Sequence, residues 1–186
     1  MQLEHTGTVS LRTPRLLPRR LCEGDARQMY ENWASDPQVT RYLTWESYAD
    51  ADAARAYLEA LVKNYARDDF YDWGIEFEGA LVGDISVVRL DAENRGCWLG
   101  YCIGRAWWGR GIVAEALRAV IGFLFENVGL ERIAAMHDRE NPNSGKVMRK
   151  AGMTCEGTLR RSRFIKGRFI DGVCYSILRD EWEAEP

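Results

Sequence analysis

Residues 103–115 read Ile103-Gly104-Arg105-Ala106-Trp107-Trp108-Gly109-Arg110-Gly111-Ile112-Val113-Ala114-Glu115, a glycine-punctuated turn that runs straight into an apolar helical period. A helix starting there presents several unpaired N–H groups and about half a positive charge, which suits a diphosphate. Gly109 and Gly111 let the main chain come close to such a group, and Arg110 adds a charge at its rim. The same glycines also suffice for a plain strand-to-helix turn, and the loop taken alone leaves both uses open. It is not a P-loop, because no Gly-Lys-Ser/Thr follows, and the third glycine of a dinucleotide fingerprint is absent.

A second group follows at Asn141-Pro142-Asn143-Ser144, where an N-cap residue and a first-turn proline open a helix that closes at Gly152. Just before it stands His137, one of two histidines in the chain, whose ordinary pKa near 6.5 suits a general base. A histidine ending a strand serves equally well as a structural group.

These groups need elements to hold them. Residues 11–21 alternate as a first strand, Asp25 can cap a short helix through Trp33, and Asp36-Pro37 turns the chain into a second one. Residues 50–66 place Ala54, Tyr57, Leu58, Leu61, Val62 and Tyr65 on one helical face. The period then changes to two over 71–77, 80–90 and 97–103, with a tight hairpin at Glu78-Gly79. A helix over 112–128 stopped by Gly129, a strand over 131–138, the helix from Pro142 to Ala151, and strands over 153–164 and 170–179 complete the order. That order predicts an α+β (mixed α/β) fold, one sheet layer with helices on both faces. Residues 1–10 are expected to be a flexible N-terminus, and 11–186 one domain.

With 25 Lys and Arg against 28 Asp and Glu, no broad basic field exists for nucleic acid, so a bound anion must be held locally. Five scattered cysteines and two histidines fit neither a disulfide framework nor a zinc site, and no metal is expected. No signal-peptide or membrane-spanning run is present, and a cytoplasmic location is expected. Most tryptophans, Trp33 and Trp73 among them, sit in core-type surroundings. Arg160, Arg161, Arg163, Lys166 and Arg168 read as a solvated face of the last hairpin that could also steer an acceptor.

Taken together, WWGRGIVAEAL (107–117) and ERIAAMHDRENPNSGKVMRKAGMTCEGTLR (131–160) resemble the GNAT superfamily of acetyl-CoA-dependent N-acetyltransferases, in particular its ribosomal-protein alanine acetyltransferase (RimJ/RimL-like) branch. The segments TPRLLPRRL, NWASDPQVTRYLTW and GRFIDGVCYSILRDEW resemble that branch too. The resemblance implies the GNAT fold, a single central, mostly antiparallel twisted sheet of about seven strands. It implies that the amides of Gly109, Arg110, Gly111, Ile112, Val113 and Ala114 hold the pyrophosphate of acetyl-CoA, although Trp108 and Val113 depart from the family's loop pattern. Ile103 would pair with the pantetheine arm through its main chain. Asn141 would lie against the pantetheine, and Ser144 near the sulfur as general acid. Tyr42, Trp45 and Tyr48 would shape the amine pocket.

Relatives carry an acid at the positions of Trp98 or Arg163, and neither carries over. His137 or a water chain is left as the base. The reaction implied is direct attack of a primary amine, either a protein N-terminal α-amine or a small-molecule amine, in a ternary complex with no metal. The alternative is a non-catalytic acyl-CoA-binding module. A monomer and a homodimer both fit.

Overall fold

The computed structural model describes residues 3–184. Seven strands form one sheet: β1 (Leu16–Arg19), β2 (Asp72–Phe77), β3 (Ala80–Asp91), β4 (Gly96–Ile103), β5 (Arg132–Asp138), β6 (Thr154–Ile165) and β7 (Arg168–Leu178). Their spatial order is β1-β2-β3-β4-β5-β7-β6, and β4 with β5 is the parallel pair among antiparallel neighbours. The expected mostly antiparallel sheet with helices on both faces is what the chain forms.

Six α-helical segments accompany the sheet: α1 (Ala26–Met29), α2 (Pro37–Thr40), α3 (Ala51–Asn64), α4 (Ile112–Phe123), α5 (Pro142–Lys150) and α6 (Arg179–Glu183). On one face α4 and α5 bury Leu117, Val120, Ile121 and Met148 against Trp73, Ile85, Leu99, Ile133 and Ile177. On the other, α1 and α3 bury Met29, Leu58 and Leu61 against Leu21, Leu81 and Cys102. Burial of these aliphatic side chains is the main stabilising contribution, about 1.5–3 kcal/mol for each fully buried one.

Several sequence expectations change in detail. The first strand shrinks to four residues because the chain turns back before it, Thr13 N–H bonding to the Leu16 carbonyl at 3.1 Å. Asp25 does not cap α1 through its side chain. Its carboxylate reaches back to the Cys22 amide at 2.9 Å and accepts from both terminal Arg19 nitrogens. Asp36 and Asp50 do cap their helices, accepting from Gln38 and Ala53 N–H, each at 2.9 Å. Tyr57, placed on the buried face of α3, keeps 39% of its surface exposed. The long helix continues past Phe123 as a π turn over Leu124–Val128, and Gly129 ends it at φ +87°.

Residues 1–2 of the expected flexible start lie outside the described residues. Residues 3–10 are tied down: Thr8 is buried, its hydroxyl donates to the Phe70 carbonyl and accepts from Asp72 N–H, and Glu4 N–H bonds to the Val128 carbonyl.

Candidate active site

The central feature is a ladder that stops early. β4 and β5 pair over only four positions, Gly96↔Arg132 to Leu99↔Ala135. Beyond them β4 runs on to Ile103 beside β3 alone, and Met136 to Asp138 pair only with β7. Two parallel strands that part inside a sheet leave unpaired main-chain groups facing a wedge, a ready edge for an extended ligand. At its mouth the Ile103 carbonyl accepts from Trp108 Nε1 at 3.0 Å rather than from a strand.

On one side of the wedge lies the glycine loop. Gly109 and Gly111 have φ of +77° and +76°, a left-handed conformation that L side chains rarely adopt. A Cβ on Gly109 would meet nothing within 4 Å, so that backbone faces open space. The first helical bond of α4 runs from Glu115 N–H to the Gly111 carbonyl. The amides of Ile112, Val113 and Ala114 precede it, and among the described residues no side chain caps them. All three residues are buried, so the bulk of Val113 does not stand over the loop.

A strap that sequence reasoning missed fixes this loop. The Glu115 carboxylate accepts from Thr13 Oγ1 at 2.6 Å, from Arg15 N–H at 3.1 Å and from Arg15 Nε at 2.7 Å, while Arg15 also donates to the Arg110 carbonyl. Burial works to raise the Glu115 pKa, and these donors outweigh it, holding the carboxyl below its ordinary range. The segment before β1 therefore clamps a loop about a hundred residues away in sequence.

On the other side stands the first turn of α5. Ser144 Oγ lies 2.7 Å from the Tyr101 hydroxyl, which also bonds to the Ser144 carbonyl at 3.0 Å. Tyr101 comes from the unpaired stretch of β4. Burial pushes its phenol far up, against the opposing hydrogen bond to Ser144, so it keeps its proton. Tyr101 was read only as a strand residue; its alternation on the apolar face gave no sign of a polar partner. Asn141 makes no capping bond with its side chain.

His137 is buried at the end of β5. Its Nδ1 lies 2.7 Å from the Asp138 carbonyl, and a carbonyl can only accept, so Nδ1 carries the proton. Nε2 is turned to α5, where a Cβ on Gly145 would come within 2.6 Å of it. Asp138 tethers the following loop, accepting from Glu140 N–H at 2.9 Å and from Arg168 at 2.6 Å.

On the opposite face of β4 is a different construction. Trp45 and Tyr48 are in ring contact, with centroids 5.3 Å apart, and Tyr48 in turn touches Tyr57 of α3 at 6.4 Å. Tyr42 instead stacks under the Arg41 guanidinium. Lys166 of the last hairpin donates to the Thr40 carbonyl at 2.8 Å and pairs with Glu46, so this member of the basic cluster anchors the aromatic loop.

Behind the rings, Asp84 of β3 sits directly opposite Cys102 of β4, accepting from its Sγ at 2.6 Å. Burial raises the Asp84 carboxyl to about 6 and holds that of Asp72 well above the ordinary range. Burial, followed by the charge of Asp84, likewise raises the phenols of Tyr48 and Tyr57. Further along the same sheet face a cavity of about 450 Å³ is lined by Val88, Trp98, Met136, Leu159, Ser162 and Arg163. Trp98 and Arg163 thus share one cavity wall.

Residues 15–154 match the family model described as an acetyltransferase (GNAT) domain. The chain is 30% identical to N-acetyltransferase p20 of Bacillus licheniformis over 175 residues, covering 93% of this chain and 98% of that one. It is 26% identical to the [ribosomal protein uS5]-alanine N-acetyltransferase of Escherichia coli, covering 94% and 93%. A solved acetyltransferase of the GNAT family from Bacillus anthracis superposes with a TM-score of 0.81 at 25% identity, covering 92% and 99%.

Proposed function

Because the chain belongs to the GNAT acetyltransferase family, we propose that it moves an acetyl group from acetyl-CoA to a primary amine by direct attack in a ternary complex. The carrying observation is the wedge between β4 and β5, flanked by an uncapped, glycine-bordered helix start and by Ser144 on Tyr101. The residues fit acetyl-CoA: free amides for the diphosphate, an open strand edge for the amide-bearing pantetheine, and a hydroxyl on the far wall. When bound, acetyl-CoA supplies an activated acyl group with a thiolate leaving group.

In this reading the amides from Gly109 to Ala114 take the pyrophosphate, the β4 edge at Ile103 aligns the arm, and Asn141 meets it from α5. Ser144 donates a proton toward the departing sulfur and regains one from the second N–H of the attacking nitrogen, while Tyr101, whose phenol keeps its proton, holds the Ser144 hydroxyl in place. His137 acts through α5: its buried ring, in contact with Tyr175, supports the backbone at Gly145 and positions Ser144. No proton of the acceptor is routed through it.

The Trp45, Tyr48 and Tyr57 rings border the acceptor side. The acceptor is a protein N-terminal α-amine, the type named for the E. coli relative, or a small primary amine. Mixing the protein with acetyl-CoA and a panel of peptides and amines, and following free thiol, tests the reading. Turnover is the expected result; tight CoA binding without turnover on any acceptor would instead identify a binding module.

A further inference from the structure

The acceptor face holds two carboxyl groups with no cationic partner among the described residues. Asp84 and Asp72 project from neighbouring strands on the face covered by α1 and α3: Asp84 pairs with Gly74 across the β2–β3 ladder, and Asp72 lies two residues along from Gly74. Asp72 is 5% exposed, and its Oδ1 has no hydrogen-bond partner. Its main chain is fully employed, the amide on Thr8 Oγ1 and the carbonyl on Tyr65 Oη, so the orphaned oxygen is confined to the side chain. Among the described residues no Lys or Arg acts on either carboxylate. The groups that face Asp84 are Cys102 from β4, Asp72 from β2, Tyr57 and Tyr65 from α3 and its end, and Tyr48 from the preceding loop.

A buried carboxyl group without a partner is costly to ionise, so Asp72 holds its proton, and the Asp84 carboxylate, bonded only to the Cys102 thiol, is the group that an entering cation would complete. Asp84 remains only partly buried, with the Tyr48 and Tyr57 phenols near enough for its charge to act on both. Aromatic faces add to the attraction for a cation at such a mouth. Asp84 also stands one strand from the open edge of the wedge, paired across to Cys102, whose neighbours Tyr101 and Ile103 belong to the unpaired stretch of β4.

Resting on the reading above, we infer that Asp84 is the catalytic residue that captures the acceptor as its ammonium and takes the proton the nitrogen must lose before attack. Asp72 keeps its own proton and supports Asp84 from behind. The balance is complete. One N–H proton passes to the Asp84 carboxylate and on to water, the nitrogen lone pair forms the bond to the acetyl carbon, and the carbon–sulfur bond breaks with its electrons going to sulfur. The second N–H proton accounts for the neutral thiol. The Asp84 carboxylate also repels an acceptor bearing its own carboxylate beside the amine. The site therefore favours a peptide N-terminus or a polyamine over a free amino acid.

The test compares the wild-type chain with Asp84→Asn, which preserves shape and the acceptor for Cys102. Expected are unchanged CoA affinity by calorimetry and a loss in kcat/KM of about 100-fold for a cationic amine, the usual worth of a positioned base. The acid limb of the kcat/KM profile near pH 6 should vanish with it. An acceptor whose amine is already neutral at the assay pH, such as trifluoroethylamine, should lose far less. In the wild type, alaninamide should outperform alanine, and the preference should shrink in Asp84→Asn. Activity within about threefold of wild type, with the acid limb intact, overturns this inference while leaving the acetyl-transfer reading standing. Failure of the wild type to bind CoA overturns both. Should Asp84→Asn not fold, the alaninamide preference and the acid limb of the wild type decide the matter: absence of both overturns the assignment.

Discussion

The two faces of β4 beyond Leu99 are built from different materials. Toward α4 and α5 the available polar groups are mostly main-chain, amides at a helix start and a strand edge, with one hydroxyl held on a second. Toward α3 they are side chains, three rings and two carboxyl groups drawn from β2, β3, α3 and a loop. A diphosphate carries the same charge in every reaction that uses it, and backbone dipoles fixed by the fold satisfy it without help from residue identity. An acceptor amine differs from enzyme to enzyme, and only side chains can be changed to suit it. In the proposed reading the wedge is generic, and the opposite face carries the specificity.

Breaking the main-chain side should have the largest effect. Gly111→Trp adds a side chain at φ +76°, against Arg15, and should weaken CoA binding by about 100-fold, equivalent to one or two charge-assisted hydrogen bonds. Calorimetry with CoA measures it, and undiminished affinity would remove the loop from the site. Ser144→Ala should lower kcat by roughly 10- to 100-fold at nearly constant KM, with Tyr101→Phe about tenfold, because a thiolate leaves with little acid help. Equal loss in kcat and CoA affinity would show instead that Ser144 binds.

Smaller effects sharpen the contrast. Arg15→Ala releases a partly exposed ion pair from Glu115 and should cost about threefold in CoA affinity, an amount that high salt also removes. His137→Ala should lower thermal stability by opening a cavity under α5, yet leave the pH profile of kcat/KM in place. A lost ionisation near neutrality would return His137 to the role of base.

The smallest effect concerns Asp72, whose carboxyl is held well above its unfolded pKa by burial and by the charge of Asp84. Such a group stabilises the fold fully below the unfolded value, near 4, and that contribution is lost as pH rises through the folded value. Asp72→Asn should therefore leave stability at pH 4 almost unchanged and raise the melting temperature at pH 8. An equal change at both pH values would show that packing governs the site.

The legible parts share a cause. The α4 and α5 starts, the Glu78-Gly79 hairpin (φ +52° and +78°) and the Gly129 stop are local, each set by a few adjacent residues. The β1 boundary, the role of Asp25 and the exposure of Tyr57 depend on distant contacts, and sequence periodicity carries no information about those. Within the site, Gly109, Gly111, Asn141 and Ser144 stand in two contiguous motifs. Thr13, Arg15 and Tyr101 reach them from other elements, and nothing in their immediate neighbours marks them. Asp84 left one readable signal, a carboxylate inside the apolar run ALVGDISVV.

By itself the sequence determined the order and type of the elements, the phosphate-suited helix start and the family to which the chain belongs. Those features depend on backbone propensity and on the spacing of neighbours along the chain. Only the tertiary structure decided where β4 and β5 part, which hydroxyl stands behind Ser144, and that Asp72 and Asp84 share one face of the sheet. Each of these is set by strand register, and register fixes which residues share a face across strands that lie far apart in the chain.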